Sequence, residues 1–431
     1  MQEKTFDVIV IGAGAAGLMA AWEIARTGRT VAVLEARARA GGRTHTITDP
    51  AFDLPVELGA EFIHGRLEPT LTLLDKAGIK YYPVGGESWQ NKDGKLQEQD
   101  DMIEDFSALE KKFGEVKEDI SVADFIDRHL QDPGFDELRF TLRNYVEGYY
   151  AADAGRASTF ALRQELTEGE HEQYRIEGGY VKLFDYIESE CTRHGVTFFF
   201  AQPVEEVSWS SGTVEILSAG KRFRASKAMI TVPVGVLQQE KIRFTPTLPD
   251  RLEAARRLGF GPVIKTILQF DEPFWEKKEY TQGQDLRKAG FIFSQALVPT
   301  WWTYRPKQSA MLTGWSAGPH ARDLSGRTNV EIRDAAIDSL SRIFSIDEAE
   351  LHYRLRGWHV ANWLDDPYSC GAYSYEVVGG AEAIQALKQP VEDTLFFAGE
   401  GLYEGPEIGT VNAGFVTGRD AAYNLVASFK K

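Results

Sequence analysis

The stretch VIVIGAGAAGLMAAWEIARTGRTVAVLEARARAGGRT, Val8–Thr44, decides the fold. Val8 to Ile11 is a short apolar run suited to a strand buried on both faces of a parallel sheet. Gly12 and Gly14 allow a tight turn and a close approach of backbone to ligand with no β-carbon in the way. Ala15 and Ala16 open a helix predicted to run to about Arg26, and Gly17 lets that helix pack close to the strand. Its free N–H groups and positive dipole end suit a pyrophosphate. A second strand ends in Glu35, 23 positions after Gly12, followed by Ala36 and Arg37. A carboxylate there can accept hydrogen bonds from ribose hydroxyls and disfavours a 2′-phosphate. A lone G-x-G-x-x-G also fits any glycine-rich strand, turn and helix. The strand before it, the helix after it and the spaced acid together predict a dinucleotide cradle.

Which dinucleotide binds follows from further motifs. Arg37 with Gly41, Gly42 and Arg43 resembles the second phosphate-contacting motif of the flavin amine oxidase superfamily, which includes monoamine oxidases, polyamine oxidases and histone demethylases. The planar fork of Arg43 suits pyrophosphate oxygens. Glu57 to Gly65, containing Gly59, Ala60, Glu61, Phe62 and His64, resembles the family segment beside the isoalloxazine ring. Leu395 to Glu400, Gly409 to Gly414 and Gly418 to Ala422 resemble its closing FAD motif. That likeness implies Gly399 and Glu400 near the ribityl phosphate, and Gly409, Thr410, Val411 and Ala413 at a helix start facing the flavin pyrimidine edge. It also implies that Val204 contacts the adenine end through its backbone.

The resemblance implies an α/β fold, a Rossmann-like FAD-binding domain interleaved with an α+β substrate-binding domain. Residues 1–80, 176–254 and 366–431 are assigned to the first and 81–175 and 255–365 to the second. Residues 81–175 read as mostly helical, with amphipathic patterns at Asp101 to Lys117 and Val122 to Leu130, and 255–365 as strand-rich. Glu177 to Tyr180 with a helix to His194 resembles the family's return to the FAD domain, and Val204 to Val207 and Ala228 to Pro233 read as strands.

Composition agrees with a protein of 431 residues in about two domains. No run approaches the roughly 20 apolar residues of a membrane span, and a strand so near Met1 leaves no room for a cleavable leader. Only Cys191 and Cys370 occur, with no C-x-x-C, and no histidine pair has zinc spacing, so no metal and a reducing, cytoplasmic setting are expected. A net charge of −16 disfavours nucleic acid and weakly favours a cationic substrate. The expected partners are a small amine and oxygen, with no membrane and with the oligomeric state left open, a homodimer included.

For the reacting centre, Lys265 lies in an apolar run, Gly261 to Phe270, on one face with Val263, Ile267 and Gln269 by the period of two. By itself such a lysine reads as solvated. Many members of the family carry a lysine in this strand that holds a water against flavin N5, which implies that role for Lys265. Trp358, Trp363 and Pro367 to Tyr375 resemble the polyamine oxidase segment in which the tryptophan packs near the flavin and the first tyrosine walls the pocket, here Trp363 and Tyr373. Mitochondrial-type monoamine oxidases attach FAD through a cysteine just before the wall tyrosine. That position is Ala372, with Cys370 two residues earlier, which implies noncovalent FAD. Thr410 stands where those enzymes have a second wall tyrosine, and His64 matches a substrate-facing histidine of animal polyamine oxidases, so the motifs lie nearest the polyamine oxidase branch. Glu61 and Glu404 are further carboxylates that could meet a distant ammonium.

The implied reaction is hydride transfer from the carbon beside an amine nitrogen to flavin N5, imine hydrolysis, and reoxidation by oxygen to hydrogen peroxide. The expected substrate is a primary amine or polyamine. Two alternatives stay open: an L-amino-acid oxidase or protoporphyrinogen-oxidase-like dehydrogenase, for which Arg143 or Arg305 could pair with a substrate carboxylate, and a non-enzymatic flavoprotein.

Overall fold

The computed structural model describes residues 5–429 apart from 93, 100–102, 104 and 169–171. The opening apolar run forms the strand Thr5–Ile11, which pairs in parallel with Val31–Leu34 on one side and Lys221–Ile230 on the other. Thr197–Phe199 extends one edge, and Leu395–Phe397 pairs with Ala228 to Ile230, so five parallel strands lie side by side. Parallel strands end at a common edge, and that edge forms the ligand crevice of open α/β sheets. Gly12, Glu35, Thr231 and Ala398 all leave the sheet there. The first half of Lys221–Ile230 turns instead into an antiparallel layer with Thr213–Ser218 and Val204–Ser210.

The helix Ala15–Ala25 lies against the C-terminal helix Val411–Ala427 at close range. A β-carbon at Gly418 would sit 2.2 Å from the Ala16 carbonyl oxygen, and one at Gly414 would sit 2.9 Å from the Ala15 Cβ. The two ends of the chain are therefore packed backbone to backbone over one apolar core.

A second sheet of seven strands runs in the order Leu355–Asn362, Val263–Phe270, Met311–Ala317, Thr300–Trp302, Ala289–Phe293, Glu87–Lys92 and Lys95–Glu98. The helix Asn329–Phe344 starts in a capping box between Thr328 and Glu331 and buries Ile332, Ala336, Ile337, Leu340 and Phe344 in the same core as Ile264 and Leu268. Every residue of Val263–Phe270 is buried. The face with Ile264 and Leu268 meets that core, whereas Val263 and Lys265 line a cavity toward the first sheet.

Several elements differ from the sequence reading. Residues 81–98 are strands, Tyr81–Pro83, Glu87–Lys92 and Lys95–Glu98, rather than helix. Glu87–Lys92 is polar and short of any apolar period; its parallel pairing with Ala289–Phe293, some 200 residues away, makes it a strand. The helix expected from Asp101 to Lys117 covers only Phe106–Phe113, and 101, 102 and 104 lie outside the described residues. The strand expected through Pro233 stops at Ile230. Residues 255–365 hold strands but also the 16-residue helix Asn329–Phe344. The run from Gly261 to Phe270 is broken at Pro262, which has no N–H for the ladder. Gly259–Gly261 pairs with Tyr373–Tyr375, and Val263–Phe270 joins the seven-stranded sheet. This break links the strand of Tyr373 to the strand of Lys265.

Candidate active site

One cavity of about 1050 Å³ extends from the carboxyl edge of the parallel sheet to the face that carries Lys265. At its first end Gly14 lines the wall, and a β-carbon there would meet nothing within 4 Å, so the space before the backbone is cavity. Gly12 has φ +106°, and Gly17 faces inward, where a β-carbon would lie 1.9 Å from the Gly12 carbonyl oxygen. Gly17 thus packs helix on turn and is not part of the lining. No side chain caps the helix at Gly14, so its first-turn N–H groups, beside the lining residues Ala15 and Ala16, open onto the cavity. Glu35 is buried and accepts from the Ala13 N–H at 2.7 Å and the Arg37 N–H at 2.8 Å, which fixes its carboxylate with lone pairs to spare for ribose hydroxyls. Ala36 and Val204 line the same end.

Two arginines tie this cradle to distant segments. Arg37 donates to Asp366 Oδ1 at 2.7 Å and to Ser369 Oγ at 3.0 Å. Arg43 bonds to Glu400 Oε1 at 2.6 Å and to the Ala372 carbonyl oxygen. Glu400 in turn accepts from the Ser374 N–H at 3.3 Å. Arg39 holds the loop between them, donating to the carbonyls of Ala40, Gly42 and Thr44. Further along, Gly41, Gly42, Gly59, Ala60, Gly399, Gly409, Thr410 and Val411 all line the wall. Thr410 caps the C-terminal helix by accepting from the Ala413 N–H at 3.1 Å. Ala413 is buried and serves that cap, outside the lining. A diphosphate cradle, a ribose acid and a second helix start along one elongated cavity fit the shape and polarity of FAD.

The far end is aromatic and charged. Lys265, 1% exposed, donates to Glu61 Oε2 at 2.7 Å and to the carbonyls of Glu57 at 2.7 Å and Gly59 at 3.1 Å. All three ammonium donors thus engage protein acceptors. Glu61 also accepts from Arg175 Nε at 2.9 Å and Trp302 Nε1 at 3.1 Å. Burial alone would raise the Glu61 carboxyl, but the charges of Lys265 and Arg175 and these hydrogen bonds outweigh it and hold it below the usual range. The neighbouring Glu57 is raised to about 7 by burial, against the Tyr180 N–H and Lys265. Phe62 packs edge-on to Trp302 at 5.5 Å and Arg175 sits 4.8 Å over its ring.

Trp363 is pinned by donation of its Nε1 to the Leu58 carbonyl at 2.8 Å. Tyr373 donates to the Tyr149 carbonyl and stacks on Trp315 at 6.3 Å. His64 Nδ1 lies 3.0 Å from the Tyr149 hydroxyl, and burial pulls its pKa down to about 4, so the ring is neutral near pH 7. Lys265, Tyr373, Trp363 and His64, which lie 64 to 373 along the chain, therefore share one chamber.

Several of its residues were not anticipated. Tyr145–Tyr149 is a π-helical turn continuing Asp136–Asn144, a geometry common at functional sites, and it delivers Tyr145, Tyr149 and Tyr150 to the wall. The clustered tyrosines in Asn144 to Tyr150 were the available signal. Glu165, Trp302 and Arg175 carry no local signal. Glu404 lies outside the chamber, bonded to Lys388 and Gln385 at the surface. Arg143 is exposed and Arg305 pairs with Glu276, both away from the lining.

A profile of the flavin containing amine oxidoreductases matches residues 15–96 and 86–426. Polyamine oxidase 3 of Oryza sativa subsp. japonica is 31% identical over 98% of this chain and 89% of its own length. Among solved structures, cyclohexylamine oxidase from Brevibacterium oxydans IH-35A superposes with a TM-score of 0.80 at 21% identity, covering 99% of this chain and 100% of its own. A wild-type putrescine oxidase bound to putrescine gives 0.78 at 20% identity, over 98% and 99%.

Proposed function

From the premise that the chain belongs to the flavin containing amine oxidoreductases and is an FAD-dependent enzyme acting on CH–NH bonds, we propose that it oxidises small primary amines or polyamines, with oxygen as acceptor and hydrogen peroxide as product. The observation that carries this reading is the single cavity joining the dinucleotide cradle to a chamber of tyrosines, tryptophans and a neutral histidine. Segments 1–80, 176–254 and 366–431 form the FAD-binding domain and 81–175 and 255–365 the substrate-binding domain, a division supported by the two separate sheets.

The residues that would hold FAD are those of the cradle, Glu35, Arg43, Glu400 and the Thr410 helix start. When bound, FAD supplies the acceptor for a hydride from the carbon beside the amine nitrogen. The chain's own contribution begins with binding. A substrate amine enters as an ammonium, and the aromatic walls of Tyr373, Trp363 and Trp302 disfavour its charged form by desolvation. His64, held neutral, can accept a hydrogen bond from the amine at Nε2 in the tautomer whose Nδ1–H donates to the Tyr149 hydroxyl. Tyr373 and Trp363 are each fixed by a backbone carbonyl and orient the amine. Lys265 holds Glu57 to Glu61 in place beside the chamber, its three donors taken up by the Glu57 and Gly59 carbonyls and the Glu61 carboxylate. FAD is held noncovalently: Ala372 offers no thiol, and Cys370 Sγ is directed at the Pro367 carbonyl, 3.6 Å away. The two unbonded cysteines support a cytoplasmic setting.

The amino-acid oxidase alternative needs an arginine facing the substrate. Among the described residues, the only arginines lining the cavity are Arg37 and Arg43, both at the cofactor end. The test is anaerobic: the yellow holoenzyme should bleach with amines and form peroxide on admission of air. Bleaching by amino acids alone would select the alternative, and no bleaching by any amine would reject the proposal.

A further inference from the structure

At the chamber wall two buried cations share one carboxylate. Glu61 takes the Lys265 ammonium on Oε2, and Arg175 Nε and Trp302 Nε1 on Oε1. Its charge is therefore engaged by the protein's own cations and not held open for a substrate ammonium. Arg175 comes from the strand Gln173–Ile176, which pairs with Ile63–His64 and keeps the arginine behind the wall, outside the cavity lining. Its guanidinium is fixed on its other edges as well, donating to the carbonyls of Thr303 at 3.0 Å and Arg305 at 3.3 Å. The Phe62 and Tyr304 rings pack 4.8 and 4.7 Å from its carbon. A planar fork held on so many sides dictates where the Glu61 carboxylate sits.

Lys265 is the group on which this arrangement acts. Its ammonium has three hydrogens, of which the Glu57 and Gly59 carbonyls take two and Glu61 the third. Lys265 and Glu61 both line the cavity, so without the carboxylate the third N–H is left to the chamber.

We propose that Glu61, braced by Arg175, is a positioning residue that claims the third N–H of Lys265, so that this chain presents a locked ion pair where the family resemblance implies a lysine holding water. This rests on the reading of the chamber as the reacting end of an amine oxidase and gives Glu61 its task there. Glu61→Gln reverses the arrangement. Arg175 and Trp302, both fixed donors, keep the amide oxygen, so the amide N–H₂ turns toward Lys265, and ammonium and guanidinium are left with no anion between them. The ammonium then gives up its proton more readily in the folded variant than in its unfolded chain.

The other ionisable groups facing the cluster are Glu57, raised to about 7 by burial against the Tyr180 N–H and Lys265, and Tyr82 and Tyr304, both pushed up by burial. From about pH 8 to about 9.5 the glutamate is ionised and the tyrosines are neutral, which leaves that window to Lys265. There the unfolded Glu61→Gln chain binds more protons than the folded one, so the variant gains stability relative to wild type as pH rises.

Heteronuclear NMR on lysine-labelled wild-type holoenzyme reads the third donor directly. An ammonium signal absent from Lys265→Met should persist with slow exchange at about pH 8, and exchange as fast as that of surface lysines overturns the proposal. In melts of the holoenzymes, the Tm deficit of Glu61→Gln should narrow by about 1.5 °C per pH unit from about pH 8 to about 9.5, one proton set against the unfolding entropy of 431 residues. The narrowing should vanish in Glu61→Gln/Lys265→Met. A deficit constant with pH, as plain packing by Glu61 gives, also overturns the proposal. If Glu61→Gln does not fold, the exchange measurement decides by itself. Neither measurement needs turnover, so a holoenzyme that oxidises no amine rejects the oxidase reading and leaves the result on Glu61 standing.

Discussion

Lys265→Met removes the centre of the buried network and should be costly in a calculable way. The ammonium donates to Glu61, Glu57 and Gly59 from a position 1% exposed, so the substitution leaves two carbonyls and a carboxylate oxygen without that donor. Breaking a buried ion pair by removing one partner costs about 3–5 kcal/mol. Arg175 and Trp302 still hold Glu61, which places the loss at the lower end, about 3 kcal/mol. With an unfolding entropy of about 2.1 cal/mol/K per residue over 431 residues, that loss lowers Tm by about 3 °C. Differential scanning of matched holoenzymes reads this directly. The double variant Lys265→Met/Glu61→Gln removes both charges, and its loss should fall short of the sum of the single losses by about 2 kcal/mol. The lysine variant should still purify with FAD but turn over more slowly, since Gly59 to Glu61 lose their anchor. A Tm within about 1 °C of wild type, or strictly additive losses, refutes the network argument; unchanged kinetics removes Lys265 from the reaction.

Gly14→Ala should fold normally but lose flavin, because its β-carbon would project into the cavity, whereas Gly17→Ala should destabilise the fold itself by meeting the Gly12 carbonyl; flavin absorbance and melting curves on the two variants separate these outcomes. Glu400→Gln weakens the anchor of Arg43 and should lower FAD affinity with only a small change in Tm, measured by flavin release on dilution. His64 has a folded pKa near 4 against 6.5 for the free side chain, so the unfolded chain binds more protons between those values. Its contribution to stability is therefore complete above about pH 6.5 and is lost as pH falls toward 4, and the Tm of His64→Gln should fall less than that of wild type on moving from neutral pH to pH 5. Equal pH slopes for the two proteins would show that His64 is not desolvated.

The sequence by itself determined the cofactor half. Gly12, Glu35 and Arg43 are spaced by local geometry, a strand, a turn and a helix start, and such geometry is written in neighbouring residues. The same holds for the cap at Thr410. The position of Lys265 on a strand was legible from its period, whereas the strand of Tyr373, and the break at Pro262 that joins it to the strand of Lys265, were not. Tertiary structure alone decided which charges are neutralised. Glu61, Glu165 and Glu404 look alike as glutamates in a sequence. Folding brings Arg175 and Lys265 to the first, leaves Glu404 at the surface with Lys388, and gives Glu165, among the described residues, the hydroxyls of Tyr145 and Tyr150. Residues 81–98 show the same limit, since Tyr81–Pro83 pairs with Gln173–Ile176 and Glu87–Lys92 with Ala289–Phe293, edges supplied by distant parts of the chain. Local patterning fixes where backbone groups point, whereas the state of a buried charge depends on partners brought from 100 or more positions away, as Arg175 is to Glu61 across 114.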